Sequence, residues 1–380
     1  MGIDIKSLGA KVAKYRVQLD ESVEEVASAT GIEPVRLAAI ENGKLAPTGD
    51  EVLIIADHFR CDFKFFISDE TLAPFEQTTT LYRAHGGDFS KSDRRAVQDF
   101  LYLCETEALL MELLGRRIQP FSFEPKGDKV KKHGTDAAVA LRHLLGYRDD
   151  KVPMNIYDDF RSIGIHVFRR KLGNSKISGL FIKHPVAGKC ALVNINEDVY
   201  RQRFSAAHEA AHAIFDSDQP ASVSFSSASK DDLLERRANR FASCYLMPPA
   251  FLAKLPDPKS WSDDDFVAQA NKFRVSCEAL GYALKSARLI DAERSKHFRS
   301  LRVPRDLKID PELPASLSQT QRERKEHLLD LGLSDFYVSL CFDALRQGKI
   351  TFGRLAEALL STETEAAQIA ALYGCALHGD

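Results

Sequence analysis

The stretch Arg201-Gln-Arg-Phe-Ser-Ala-Ala-His-Glu-Ala-Ala-His-Ala-Ile-Phe215 decides how the rest of the chain is read. It contains neither proline nor glycine. Phe204, Ala207, Ala211, Ile214 and Phe215 form an apolar stripe, so the spacing predicts a buried helix. At about 3.6 residues per turn, His208 and His212 lie on one face, and both imidazoles can reach one metal ion. Glu209, about 100° further round, can act as base on a water beside that ion. Two ligands and a base at this spacing point to a zinc-peptidase helix.

A catalytic zinc takes three protein ligands and leaves a fourth position open. The expected third ligand is Glu235, which begins Glu235-Arg-Arg-Ala-Asn-Arg-Phe-Ala242, a second helical pattern in which Glu235 and Asn239 share a face. Asn239 is expected to accept a hydrogen bond from the ring N–H of one ligating histidine, and Ala238 to let the two helices approach closely. Asp216 and Asp218, in the turn after the first helix, are rival third ligands. Without a metal, the same residues would be two histidines on an amphipathic helix followed by a separate charged helix.

The run from Phe204 to Phe215, the strand-like Cys190-Ala-Leu-Val-Asn-Ile-Asn196 before it, and Glu235-x-x-Ala-Asn-x-Phe-Ala followed by Leu246-Met-Pro248 resemble the ImmA/IrrE metallopeptidases, over roughly residues 150–290. The resemblance implies a zincin-like, gluzincin-type domain with a small sheet, a Zn2+ cofactor and regulatory proteolysis. Bacterial and phage members of that family cleave, or relieve the action of, a helix-turn-helix repressor. Arg237 departs from the pattern, since relatives often carry a second acidic residue there.

A chain of 380 residues with 44% hydrophobic content is long enough for two or three domains, and its net charge of −2 gives no global nucleic-acid signal. No run of about eighteen apolar residues exists and Met1-Gly-Ile-Asp-Ile-Lys6 lacks an apolar signal core, so no membrane association and a cytoplasmic location are expected. The seven cysteines are scattered without a Cys-x-x-Cys pair, which fits reduced thiols and argues against a structural zinc cluster. The expected fold is α+β and mostly helical. It divides into a helix-turn-helix domain at 1–68, a linker and long connecting helix at 69–120, the peptidase domain at 121–290, and a helical interaction or sensing region at 291–380.

Residues 5–66 carry short amphipathic patterns, with Ala29-Thr-Gly-Ile32 as a tight helix-turn-helix connection. Ser22 to Phe66, with Ile40-Glu-Asn-Gly43 closing the third helix, resembles the XRE-type domain, here expected as five helices. DNA binding asks for a basic face. Residues 1–66 instead hold eight Lys/Arg against eleven Asp/Glu, a net of −3. Val23 stands where XRE relatives often place a phosphate-contacting glutamine, and Arg36 is the one good base-reading candidate. The balance favours protein docking or homodimerisation over operator binding.

The run Asp93 to Leu114 predicts a long helix joining the modules. It carries Cys104, whose thiolate could occupy the open zinc position and silence the enzyme, although a core cysteine is the commoner use; Cys190 and Cys244 are weaker candidates. Arg116 to His133 is basic with Phe121 and Phe123 interleaved, and Lys296 to Lys308 is a second basic stretch. Either could bind an activating single-stranded nucleic acid, against the commoner reading of a solvated loop. Residues 163–168, 177–182 and 189–195 predict a strand meander leading into the zinc helix, with an exposed edge to accept an extended substrate. His166 and His184 are candidate transition-state donors, more often structural on a strand. Asp310-Pro-Glu-Leu-Pro314 reads as a linker. Function is therefore expected to be zinc-dependent cleavage of a partner helix-turn-helix repressor. The alternative is a DNA-binding regulator whose peptidase-like domain only senses a ligand.

Overall fold

The computed structural model describes residues 4–68, 78, 81–82, 86–127, 129–216, 221–225 and 233–375. The N-terminal module has the five expected helices, α1 (Ile5–Gln18), α2 (Val23–Thr30), α3 (Pro34–Glu41), α4 (Gly49–His58) and α5 (Phe63–Ile67). Ser22 and Glu25 form a reciprocal capping box at the start of α2, and Gly31 ends that helix at φ 72°, a left-handed turn open to glycine. The module encloses its own core around Val12, Tyr15, Val26, Leu37, Ile40 and Phe59.

After it come α6 (Lys91–Leu113), α7 (Val130–Leu144) and α8 (Ile156–Ser162), then strands β1 (Ile165–Arg170), β2 (Ile177–His184) and β3 (Gly188–Asn194). The zinc-motif helix α9 (Val199–Phe215) follows, then β4 (Ala221–Phe225) and α10 (Leu233–Leu246). The sheet order is β1-β3-β2-β4, with β1 parallel to β3 and the other pairs antiparallel. The expected meander is thus corrected: β3 inserts between β1 and β2. The fourth strand was not anticipated because Ala-Ser-Val-Ser-Phe is short and weakly apolar.

Alternation along the strands sends Val167, Phe181, Ala191 and Val193 to one face, where they pack with α7 to α10. Phe168, Leu180, Ile182, Cys190 and Leu192 point to the other face and share a core with α6. That same back core takes in residues from α15 (Gln319–Asp330), α16 (Asp335–Arg346), α17 (Phe352–Ala358) and α18 (Glu363–Leu372). The front core also takes in α11 (Pro249–Leu252), α12 (Asp263–Phe273), α13 (Cys277–Ser286) and α14 (Ala292–Ser300). The long helix and the C-terminal helices therefore wall one side of the sheet, in addition to any connecting or sensing role. The Asp310–Pro314 segment is no free linker. Buried Arg169 draws in Asp310 at 2.6 Å and Glu312 at 2.8 Å, because an interior guanidinium needs its charge matched.

The first turns of α6 also hold the N-terminal module, by Lys91 to Glu25 at 2.9 Å, Arg95 to Glu21 at 3.0 Å and the Gln98 amide donating to the Arg60 carbonyl at 3.2 Å. No described helix is long and apolar enough to cross a membrane.

Candidate metal centre

Helix α9 starts at Asp198, whose side chain caps the Tyr200 amide, and lies close against the sheet because Ala206, Ala207, Ala210, Ala211 and Ala213 are small and fully buried. His208, Glu209 and His212 are buried with them. Helix α10 presents Glu235 in its first turn. The Nε2 atoms of His208 and His212 are 3.1 Å apart, and the Glu235 carboxylate offers one oxygen to each, both at 3.3 Å. Bonds of about 2.0–2.1 Å from a tetrahedral zinc put neighbouring donor atoms about 3.3 Å apart, so the three side chains fit such an ion. Among the described residues this is the one group of three or more His, Cys, Asp or Glu close enough to share a metal.

Hydrogen bonding supports the same fit. The His208 ring contacts Asn239 Oδ1 through Nδ1 at 3.1 Å, and His212 contacts Asp216 Oδ2 through Nδ1 at 2.9 Å. Both partners are acceptors, so each Nδ1 carries the proton and each neutral ring turns an Nε2 lone pair toward the other. Two facing lone pairs beside a carboxylate need a cation between them. Burial alone would lower His212, but hydrogen bonds to Asp216 and Glu235 outweigh it and push its pKa up to about 10. Burial would raise Glu235, yet its two histidine contacts hold it far below the usual carboxylate range.

Glu209 is different. Both its carboxylate oxygens are buried without a hydrogen-bond partner among the described residues. Burial pushes its pKa up, with His208, His212 and Ser224 pulling the other way. A buried carboxylate left with open lone pairs beside three converging donors suits a proton acceptor for a reacting water.

Comparison with known families agrees with this geometry. Residues 160–285 match the peptidase family model described as IrrE N-terminal-like domain, and residues 12–66 match the helix-turn-helix model. These two matches agree with the ImmA/IrrE resemblance of the peptidase-like domain and with an N-terminal XRE-type domain. No curated protein and no solved structure matches it.

Within this ImmA/IrrE-type domain, Asp216 is not a rival ligand. It sits on the Nδ1 side of His212, away from the converging Nε2 atoms, and is itself gripped by Arg237, whose guanidinium lies 4.4 Å over the Phe215 ring. The departure at position 237 thus has a use here, since Arg237 fixes the carboxylate that orients His212. Asp218 lies outside the described residues.

Cys104 does not reach the site. It packs with Cys190 in the core behind the sheet, while α9 covers the front, so the expected thiolate switch is corrected by a layer of β-structure. Burial also pushes the Cys104 thiol well up, away from the thiolate a metal would need. Cys244 contacts Thr135 Oγ1 of α7 at 3.6 Å. His166 and His184 are not transition-state donors either. His166 Nδ1 pairs with Glu107 at 2.7 Å behind the sheet, and His184 Nδ1 accepts the Val186 and Ala187 amides at the β2–β3 turn.

Arg36 of α3 makes a two-point ion pair with Glu51 of α4, its Nη2 donating to Oε2 at 2.8 Å. Its guanidinium is thereby engaged within the module. The activating nucleic-acid reading loses its stacking rings: Phe121 and Phe123 pack on the front core, Phe123 meeting Phe215 edge-on at 5.9 Å, and Phe298 stacks on Phe266 at 4.1 Å. Sequence reasoning missed Gly179 of β2. A Cβ there would stand 2.9 Å from Glu209 Oε1 and 2.8 Å from the Leu192 carbonyl. A glycine inside a strand pattern is the signal that marks such a close approach.

Proposed function

We propose that the chain is a zinc-dependent endopeptidase, with His208, His212 and Glu235 holding the ion and Glu209 as general base. The carrying observation is the convergence of three donor groups beside Glu209, whose buried oxygens have no hydrogen-bond partner among the described residues. When bound, zinc supplies water whose pKa is brought from 15.7 toward about 7 and polarises the scissile carbonyl. Asn239 and Asp216 hold the histidines in the Nδ1-protonated tautomer, which keeps each Nε2 free to ligate. Glu209 receives the proton of the attacking water on a carboxylate oxygen and delivers it to the leaving amine. The extended substrate pairs with the outer edge of β4, which has no partner among the described residues.

The substrate we infer is a partner helix-turn-helix repressor, whose cleavage switches on a stress, phage or defence operon in a bacterial cytoplasm. Seven free cysteines suit that compartment. The N-terminal module then serves docking, to the repressor or to a second copy, in keeping with its acidic balance and its engaged Arg36. The helix-turn-helix match favours a second reading, a DNA-binding regulator that only senses a ligand. Glu209→Gln separates the two, measured by repressor cleavage in vitro and operon output in cells. A peptidase loses both with its zinc retained; output fully preserved in the variant would refute the peptidase reading.

A further inference from the structure

We propose that the cleft leading away from the metal centre selects acidic peptide segments, an inference that rests on the peptidase reading and names its substrate class. The cleft has a volume of about 810 Å³ and lies between α7, α10 and α13; its lining includes Asn239 and Glu235, the carboxylate that faces both histidines. Gly134 sets the spacing of two of its walls: the bare Cα lets α7 close on α10, where a Cβ would stand 2.6 Å from the Arg237 carbonyl. One turn away on each helix, the lining is cationic. Lys131 and Lys132 come from α7, and Arg236 and Arg240 from α10.

Among the described residues, no carboxylate neutralises these charges. Lys131, Lys132 and Arg236 are exposed and have no ion-pair partner among the described residues. Arg240 is held by neutral hydroxyls, Thr135 at 2.9 Å and Ser286 at 3.0 Å, which orient the guanidinium and leave its charge available. Against the four cations stand Asp136 and Glu235, and Glu235 is turned to the two histidines. A peptide threading from the metal into this cleft meets a positive field within a few residues of the scissile bond, and carboxylate side chains there gain charge-assisted hydrogen bonds. Nucleic acid fits less well. Tyr282 is the one aromatic ring lining the cleft, whereas strand binding asks for a series of stacking rings.

The test uses the full-length, zinc-loaded Glu209→Gln protein, so that peptides bind without turnover. Fluorescence anisotropy compares labelled octaglutamate, octalysine and oligothymidine. Octaglutamate is expected to bind in preference to octalysine, and the added pair Lys131→Gln and Arg236→Gln to weaken it about tenfold, with a shallower salt dependence. Both positions are exposed, and unchanged zinc content and circular dichroism establish that the variant is folded. The proposal is overturned if octaglutamate does not bind, if octalysine binds equally, or if the double substitution has no effect. Oligothymidine binding more tightly and depending on the same residues also overturns it, assigning the cleft to nucleic acid. A wild-type chain that binds octaglutamate but cleaves no repressor refutes the peptidase chemistry and leaves the cleft assignment standing.

Discussion

The two faces of the sheet carry similar residues and do different things with them. Behind it, His166 and Glu107 meet at 2.7 Å as a buried pair, with Cys104 and Cys190 packed in the same core. In front, His208, His212 and Glu235 converge on a common point, and among the described residues neither oxygen of Glu209 beside them has a hydrogen-bond partner. Histidine, carboxylate and burial are therefore not what makes a reaction centre. What distinguishes the front is convergence of three donor groups on one place, beside a carboxylate with both oxygens open where Glu107 leaves one.

Glu209→Gln should give the largest effect, a fall of about 10²–10⁴-fold in cleavage rate with zinc retained, read by single-turnover assay and metal analysis. A smaller loss would narrow the gap between the faces. Next comes Gly179→Ala. The new methyl must displace either Glu209 or the Leu192 carbonyl, and a displacement of about 1 Å at the base costs about 10²-fold in rate. Normal activity in that variant would show that the base need not sit where it does.

On the back face, Glu107→Gln should leave cleavage and zinc content intact while costing about 3 kcal/mol of stability, seen in urea unfolding, because His166 loses its buried partner. The pH dependence of that loss has a definite sign. Burial alone would lower His166, but its hydrogen bond and charge contact with Glu107 raise its pKa above 6.5. The pair's contribution is then fully present below about pH 6.5 and declines as pH rises through the folded value. In Glu107→Gln this slope should disappear. The smallest effect is expected from Cys104→Ser: unchanged basal cleavage, and about 1–3 kcal/mol lost by placing a hydroxyl in an apolar core. Increased cleavage would restore the thiolate switch that the sheet excludes.

Much of the front was legible in the sequence because helical period alone sets which residues share a face. That suffices for His208 with His212 and for Glu235 with Asn239. The unread parts depend on how elements stack. Nothing in the spacing of Cys104 says which side of the sheet its helix covers, and nothing near Asp216 distinguishes a ligand from the partner of a ligand. Phe121, Phe123 and Phe298 looked free because their surroundings are basic, yet each ring is drawn onto apolar surface while the charges remain at the rim. The five helices of the N-terminal module were readable for the opposite reason: they close a local core with little help from distant residues.

The wall behind the sheet carries a further consequence, in the order of synthesis. The histidines and Glu235 leave the ribosome well before the stretch from Gln319 to Leu372 that covers the back of the strands beneath them. Until that stretch is made, the described residues against one side of the sheet are α6 with Leu81 and Phe89, and the floor under α9 lacks much of its apolar cover. The support of the candidate centre is thus complete only when nearly the whole chain is present. Loss of the C-terminal helices, by nonsense mutation or by nicking, would disarm it from behind without touching any residue of the centre.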